Sequence, residues 1–289
     1  MFITPHDKNY SLLDSGNGMK LERFGDVVLI RPEPEAIWMP LDIKLWGNAD
    51  YTYDRDGKDK WIKKKNAPEN WITNYGGINL IIKPTSFKHT GLFPEQLSNW
   101  EYFKEKTKGQ KNLKVLNLFG YTGAFSVYAL SLGHNVTHVD SSQGVNDWLN
   151  ENCKLNKLDT KNLDGNGSLK IITDDVNVFV KRLIKRGEKF DWIILDPPAF
   201  GHGTGKELWK IERDLPDLID NIGLLLTESP GGIILSGYSA GYSPESYKNI
   251  LLPFQKLFGG SIKANTMCIK EENSNRLLTL GIVSRFSTK

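Results

Sequence analysis

Cysteine is almost missing from this 289-residue chain: Cys153 and Cys268 stand far apart in the sequence. They form neither a disulfide framework nor a metal-ligand cluster, so reduced thiols are expected. Histidine is nearly as scarce, and His6, His89, His134, His138 and His202 show no ligand spacing joined to a carboxylate motif. That excludes the common patterns of a metal enzyme, and no metal is expected. No apolar run is long enough to span a bilayer, and Met1 to Tyr10 lacks the apolar core of a signal peptide, so a cytoplasmic protein is expected. Charge of one sign is lacking too. The net charge is +3, with 17 Lys and Arg against 15 Asp and Glu in residues 1 to 112 and 20 against 19 in the remainder. A nucleic-acid partner would therefore need a local patch and not a basic domain.

What is present is the composition of a protein able to bury a full core, in two textures. From Tyr10 to about Lys83 short alternating runs such as Asp26–Arg31 and Ile78–Lys83 are punctuated by Gly16-Asn-Gly18 and Asp56-Gly57, which predicts a small, mostly β module over 1–86. A connector over 87–112 follows, where Pro94-Glu-Gln before Leu97, Trp100 and Phe103 opens a helix. After Gln110, strands alternate with helices, the pattern of a doubly wound α/β sheet. The strands are Leu113–Phe119, Asn135–Asp140, Leu169–Thr173, Phe190 onward and Gly232–Ser236, with helices over Gly123–Leu132, Trp148 to about Asn156, Val176–Arg186, about Glu207–Leu226 and Pro244–Phe258. Ser261–Ile269 and Arg276–Phe286 close the chain as an antiparallel hairpin.

The sharpest stretch is Phe190 to Phe200, F-D-W-I-I-L-D-P-P-A-F, an apolar run ending in an aspartate and two prolines. It suits a buried parallel strand that stops abruptly, since proline has no N–H with which to extend the ladder. Ligands in open α/β sheets bind beyond such carboxyl ends. The first strand of the sheet runs into Phe119-Gly-Tyr-Thr-Gly-Ala124, a glycine turn opening a helix, and Asp140 ends the second, placed to accept hydrogen bonds from ribose hydroxyls. Two glycines stand where a dinucleotide fingerprint has three, so the turn reads either as a nucleoside-cofactor loop or as a tight strand-to-helix turn. Asp174 and Asp175 end the third strand, suited to an adenine amino group, to a helix N-cap, or to both.

These residues, together with Tyr10-Ser-Leu-Leu-Asp-Ser-Gly16, Lys20-Leu-Glu-Arg-Phe-Gly25, His89-Thr-Gly-Leu-Phe-Pro-Glu-Gln96, Val115 to Ser126 and Arg276-Leu-Leu-Thr279, resemble the class I S-adenosylmethionine-dependent methyltransferases. The similar branch is that of the large-subunit ribosomal RNA methyltransferases of cytosine-C5 and guanine-N7 type. The resemblance implies a Rossmann-like, seven-stranded sheet over 87–289 and S-adenosyl-L-methionine as cofactor. It implies that Phe119, Gly120, Tyr121, Thr122 and Gly123 pass under the cofactor's methionine part, that Asp140 and Ser141 hold its ribose, and that Asp175 and Val176 face its adenine. Thr90, Gly91, Phe93 and Gln96 would form its other wall, the helix near Pro94 being equally explained by packing. Asp196, Pro197, Pro198 and Phe200 would line the transfer site, with Asp196 and a proline carbonyl accepting the acceptor's N–H bonds. Phe200 either stacks on a flipped base or anchors the loop in the core.

Two departures bear on the acceptor. Cytosine-C5 members of the family carry a cysteine after the fifth strand, where this chain reads Ser236-Gly-Tyr-Ser-Ala-Gly241, and the additional RNA-binding domain of those members is not expected within these residues. An amine or ring nitrogen of RNA is the expected acceptor, with a protein or small-molecule acceptor, or a non-catalytic binding module of the same fold, as alternatives. Lys58, Lys60, Lys63, Lys64 and Lys65, near Trp46, Tyr51, Tyr53, Trp71 and Tyr75, are either an RNA contact patch or a solvated hairpin tip whose rings face a small core. Gly237-Tyr-Ser-Ala-Gly241 matches a hydrolase nucleophile elbow, but the last histidine, His202, precedes Ser239, against that fold's order of serine, acid, histidine.

Overall fold

The computed structural model describes residues 1–54, 60–85, 88–158, 167–202, 208–238 and 241–288, the side chains of His202 and Leu208 excepted. The chain divides into two compact units, Met1–Ser98 with Met267–Leu280, and Asn99–Thr266 with Gly281–Lys289. Lys58, Ser239 and the turn at Asp56-Gly57 lie outside the described residues.

The first unit holds β1 (Phe2–Ile3), β2 (Tyr10–Gly16), β3 (Met19–Phe24), β4 (Val27–Pro32), the short helix α1 (Ile43–Trp46), β5 (Tyr51–Asp54), β6 (Lys60–Lys63), β7 (Trp71–Tyr75) and β8 (Ile78–Ile82). A five-stranded sheet runs in the order β2-β3-β4-β5-β6, β7 and β8 pair as a hairpin, and β1 pairs in parallel with Met267 and Cys268. Leu12, Leu21, Phe24, Leu29, Tyr75, Leu80 and Ile82 alternate inward and form its core. Charges are buried there as well. Arg31 bonds Glu22 at 2.8 Å, Lys20 lies 3.3 Å from Glu33, and the Tyr10 hydroxyl donates to Glu22 at 2.7 Å. The Lys20-Leu-Glu motif is therefore an inward-facing ion network, which keeps each buried charge paired.

In the second unit α2 (Leu97–Lys106), which begins in the first, leads to β9 (Lys114–Leu118), α3 (Ala124–Ser131), β10 (Asn135–Asp140), α4 (Gln143–Leu155), β11 (Leu169–Thr173), α5 (Val176–Lys185) and β12 (Trp192–Leu195). Then come β13 (Phe200–His202), β14 (Leu208–Lys210), α6 (Ile211–Gly223), β15 (Gly232–Gly237), α7 (Pro244–Phe258), β16 (Ser261–Lys270) and β17 (Leu277–Ser287). The sheet order is β16-β17-β15-β12-β9-β10-β11. Strands β11, β10, β9, β12 and β15 run parallel, and β17 joins β15 antiparallel. All four residues of β12 are buried, as its unbroken apolar run requires of a strand covered on both faces. Between β9 and β12 the order turns back on itself, so the chain leaves these two neighbours at a topological switch point.

One expectation fails after β12. The helix expected from about Glu207 starts at Ile211, and Phe200–His202 pairs antiparallel with Leu208–Lys210 in a short hairpin. Within that hairpin Trp209 is buried, and its indole N–H donates to Pro198 O.

Candidate active site

The glycine turn leaves β9 in a backbone that few residues adopt. Phe119 and Tyr121 have φ of 55° and 52°, and Gly123, at the start of α3, has 76°. Left-handed φ in bulky residues is costly and is kept only where the surroundings enforce it. Here three hydrogen bonds do so: Gly120 N to Val139 O at 3.1 Å, Tyr121 N to Asp140 Oδ2 at 2.9 Å, and Gly123 N to Gly120 O at 3.0 Å. The other Asp140 oxygen accepts from Ser142 N at 2.9 Å. Burial raises the Asp140 pKa, opposed by the N–H groups of Ser142, Tyr121 and Ser141. Each carboxylate oxygen has two lone pairs, so Asp140 retains capacity for hydroxyl donors.

The glycines have a reason that sequence pattern did not supply. A Cβ at Gly120 would stand 2.2 Å from His138 Cε1, and one at Gly123 would stand 2.2 Å from Leu149 Cδ1. Both residues are required by what packs behind the turn. That backing is polar: Asn117 Nδ2 donates to Ser126 Oγ at 2.8 Å, and Ser126 Oγ lies 2.9 Å from His138 Nδ1. Burial lowers the His138 pKa to about 4, opposed by Asn146 and Tyr121, so the ring is neutral. Thr122 is buried, with its carbonyl accepting from Asn152 Nδ2 at 3.1 Å.

At the end of β11 the acidic pair divides its work. Asp175 caps α5 through Val178 N at 3.0 Å, and Asp174 pairs with Arg182. Val176 is buried in the core, and Ser141 is half-buried beside Asp140. Thr90, Gly91, Phe93 and Gln96 belong to the first unit. Thr90 is fully buried and its hydroxyl has no hydrogen-bond partner among the described residues; Gly91 has φ 98°, and Phe93 packs edge-on to His89 before the 3-10 turn Pro94–Gln96.

At the corner after β12, Asp196 is half-buried and accepts from Ser236 Oγ at 3.0 Å, while Pro197 is buried and Pro198 exposed. Phe200 is 61% exposed, which overturns its reading as a core anchor and leaves the ring open to a partner. Trp209 joins the two halves of the site: its N–H donates to Pro198 O at 2.7 Å and its ring lies 5.0 Å from that of Phe119. No spacing in the sequence singled it out. The side chain of His202 and the elbow serine Ser239 lie outside the described residues.

A family model described as S-adenosylmethionine-dependent methyltransferase matches residues 48–235. The chain belongs to this family. Among solved structures, the S-adenosylmethionine-dependent methyltransferase of Agrobacterium tumefaciens is 34% identical, with a TM-score of 0.92 over 99% of this chain and 93% of that one. Ribosomal RNA large subunit methyltransferase I of Aeromonas hydrophila is 32% identical over 176 residues, 61% of this chain and 41% of its own. Ribosomal RNA large subunit methyltransferase K of Neisseria meningitidis is 27% identical over 227 residues, 73% of this chain and 60% of its own. The chain thus spans about half the length of these curated relatives. The methyltransferase sheet of this family is the one described above, and β1 is a short strand beyond the seven expected.

The site residues fit the family's cofactor. Asp140 is a half-buried acceptor whose backbone bonds do not saturate it, and the enforced left-handed turn sits directly at the strand end where a ligand binds. Among the described residues no group of three His, Cys, Asp or Glu is placed to hold a metal, and no helix is long and apolar enough to cross a membrane.

Proposed function

We propose that this methyltransferase acts on RNA, ribosomal RNA being the acceptor class, at an amine or ring nitrogen of a base and not at cytosine C5. The observation that carries the reading is the Asp196-Pro197-Pro198 corner, fixed by Ser236 on one side and tied through Trp209 to the glycine turn on the other. S-adenosylmethionine would supply an activated methyl, passed from its sulfur to the acceptor's lone pair with S-adenosylhomocysteine as the leaving group; an amine acceptor would give up its proton to Asp196 or to water, and a ring nitrogen without a hydrogen would lose none. The chain's part is orientation. Asp196 and the Pro197 carbonyl accept the acceptor's N–H bonds and so aim its lone pair, and exposed Phe200 stacks on the base. Asp140 and Ser141 take the ribose, and Asp175 and Val176 the adenine side.

No step needs a thiolate. Cys153 and Cys268 are both buried, and burial pushes the Cys153 thiol up to about 12, which keeps it protonated and inert. In the same reading residues 87–289 carry methyl transfer, 1–86 serve substrate recognition, and the protein works in the cytoplasm. Within the first unit the unpaired Thr90 hydroxyl supports a ligand role for Thr90, Gly91, Phe93 and Gln96. Lys60, Lys63, Lys64 and Lys65 would contact phosphate by charge alone. Of the aromatic rings nearby, Tyr51, Tyr53 and Tyr75 are buried, with Tyr51 stacking on Trp71 and Trp61 packing on Tyr53, while Trp46, Trp61 and Trp71 are half-buried.

The test is transfer of labelled methyl from S-adenosylmethionine to fractionated cell RNA and to protein. Label in large-subunit ribosomal RNA, recovered on a nitrogen after nuclease digestion, is the expected result. Label in protein alone, or on cytosine C5, overturns the reading.

A further inference from the structure

Asparagine is costly to bury unless its amide is used, and leucine would fill the same space without that cost. Helix α4 nevertheless buries two, Asn146 and Asn152. Asn146 Nδ2 donates to Asp140 O at 3.2 Å and to Thr173 Oγ1 at 2.8 Å, atoms of the last residues of β10 and β11. Asp140 O also accepts from Asp174 N at 3.2 Å. Among the described residues β11 is the edge strand on that side of the sheet, so β10 and α4 hold its end. Asn152 Nδ2 donates to Thr122 O at 3.1 Å, inside the glycine turn. Leu149, three residues from each asparagine and on the same helix face, lies against Gly123.

We propose that Asn146 and Asn152 are positioning residues of the cofactor site and that they divide it between them. Asn146 sets the gap between Asp140, on the ribose, and the adenine edge at Asp175 and Val176, while Asn152 holds the glycine turn under the methionine part. This rests on the cofactor placement given above. The register of β10 on β11 ends with Asp140 opposite Thr173, so beyond that pair the ladder no longer fixes the two chains. Thr173 directly precedes Asp174 and Asp175, and a bond that holds Thr173 to the end of β10 therefore holds the acidic pair as well. Both asparagines act through backbone that borders the ligand, and what they contribute is a site already in shape before the ligand arrives.

The test measures affinity by calorimetric titration for two ligands, S-adenosylhomocysteine and methylthioadenosine, the second of which keeps the nucleoside and lacks the amino-acid end. No RNA is needed, so failure of the RNA reading leaves the measurement intact. Asn146→Leu is expected to weaken both ligands by the same factor, about tenfold or more. Thr173→Val, a milder change at an exposed residue, is expected to weaken both about threefold, and to add nothing in the Asn146→Leu background, where the shared bond is already gone. Asn152→Leu, or Asn152→Ala where the first does not fold, is expected to weaken S-adenosylhomocysteine about tenfold and methylthioadenosine less than about twofold. A purely structural role would weaken both ligands alike. Equal losses in the Asn152 variant therefore overturn the inference, as does wild-type affinity in Thr173→Val, or no binding of methylthioadenosine by the wild type. If Asn146→Leu does not fold, Thr173→Val alone decides the role of Asn146. Asp140→Ala tests the placement itself: if it binds both ligands as the wild type does, the cofactor placement falls, whereas its expected loss beside unaffected asparagine variants overturns this inference alone.

Discussion

Trp209 donates its indole N–H to the Pro198 carbonyl at 2.7 Å while its ring packs 5.0 Å from Phe119, so one side chain ties the Asp196-Pro-Pro corner to the glycine turn. Trp209→Phe keeps most of the ring contact and loses the hydrogen bond, and is expected to cost about 1 kcal/mol of stability and several-fold in kcat. Trp209→Ala opens a cavity as well and is expected to cost about 3–5 kcal/mol. Denaturant unfolding and steady-state transfer rates, measured together, check the pair: a Phe variant as active as wild type would mean that the bridge does not position the corner.

Asp196, which accepts from Ser236 Oγ at 3.0 Å, is the carboxylate that the proposed function turns toward the acceptor. Asp196→Ala is expected to lower kcat by at least about 10²-fold. Cofactor affinity, measured by calorimetric titration with S-adenosylmethionine, should change much less. Equal activity in the variant refutes the assigned role, and loss of affinity matching the loss of rate would place Asp196 on the cofactor instead.

A methyl group added at Gly120 would meet the His138 ring at 2.2 Å. His138 is fully buried and cannot step aside. Gly120→Ala is therefore expected to distort the turn and to weaken cofactor binding about tenfold or more, with partial recovery in Gly120→Ala/His138→Ala, where the obstruction is removed. Calorimetric titration of both variants reads the effect. No recovery in the double variant would mean that the glycine is needed on its ligand side alone.

Burial alone would raise the Glu22 pKa, yet Arg31 and Lys20 beside it, with hydrogen bonds from Arg31 and Tyr10, bring it below its ordinary value of 4.5. A carboxylate with a lowered folded-state pKa contributes stability above its unfolded pKa, and that contribution is lost as pH falls through the folded one. Glu22→Gln leaves Arg31 buried without its counter-charge and is expected to destabilise the protein by about 3–5 kcal/mol at pH 7. The gap between variant and wild type should narrow in acid, since both side chains are then neutral. Urea unfolding at pH 7 and at low pH checks both parts.

Cys153 is 1% exposed and its thiol is pushed up to about 12 by burial. Cys153→Ala is expected to retain methyl transfer within about twofold and to cost on the order of 1 kcal/mol of stability. A hundredfold loss of rate in a folded variant would point to covalent catalysis and against transfer to a nitrogen.

Much of the molecule was legible in its sequence, for reasons that can be named. Strands β12 and β15 were readable because a strand covered on both faces must be apolar nearly throughout, and helices such as α5 and α6 because they bury one face and expose the other. The Asp196-Pro-Pro corner and the glycine turn were readable because proline and glycine restrict or free the backbone locally. Tertiary structure alone decided the rest. It brought Trp209 to Phe119, His138 to Gly120, Tyr247 to Gly237, and Glu22 to Arg31 inside the small β unit. Local sequence carries backbone preference and hydrophobic period. It does not carry which distant side chains meet when strand ends converge, because that is fixed by close packing across the sheet, and it is there that this chain built its site.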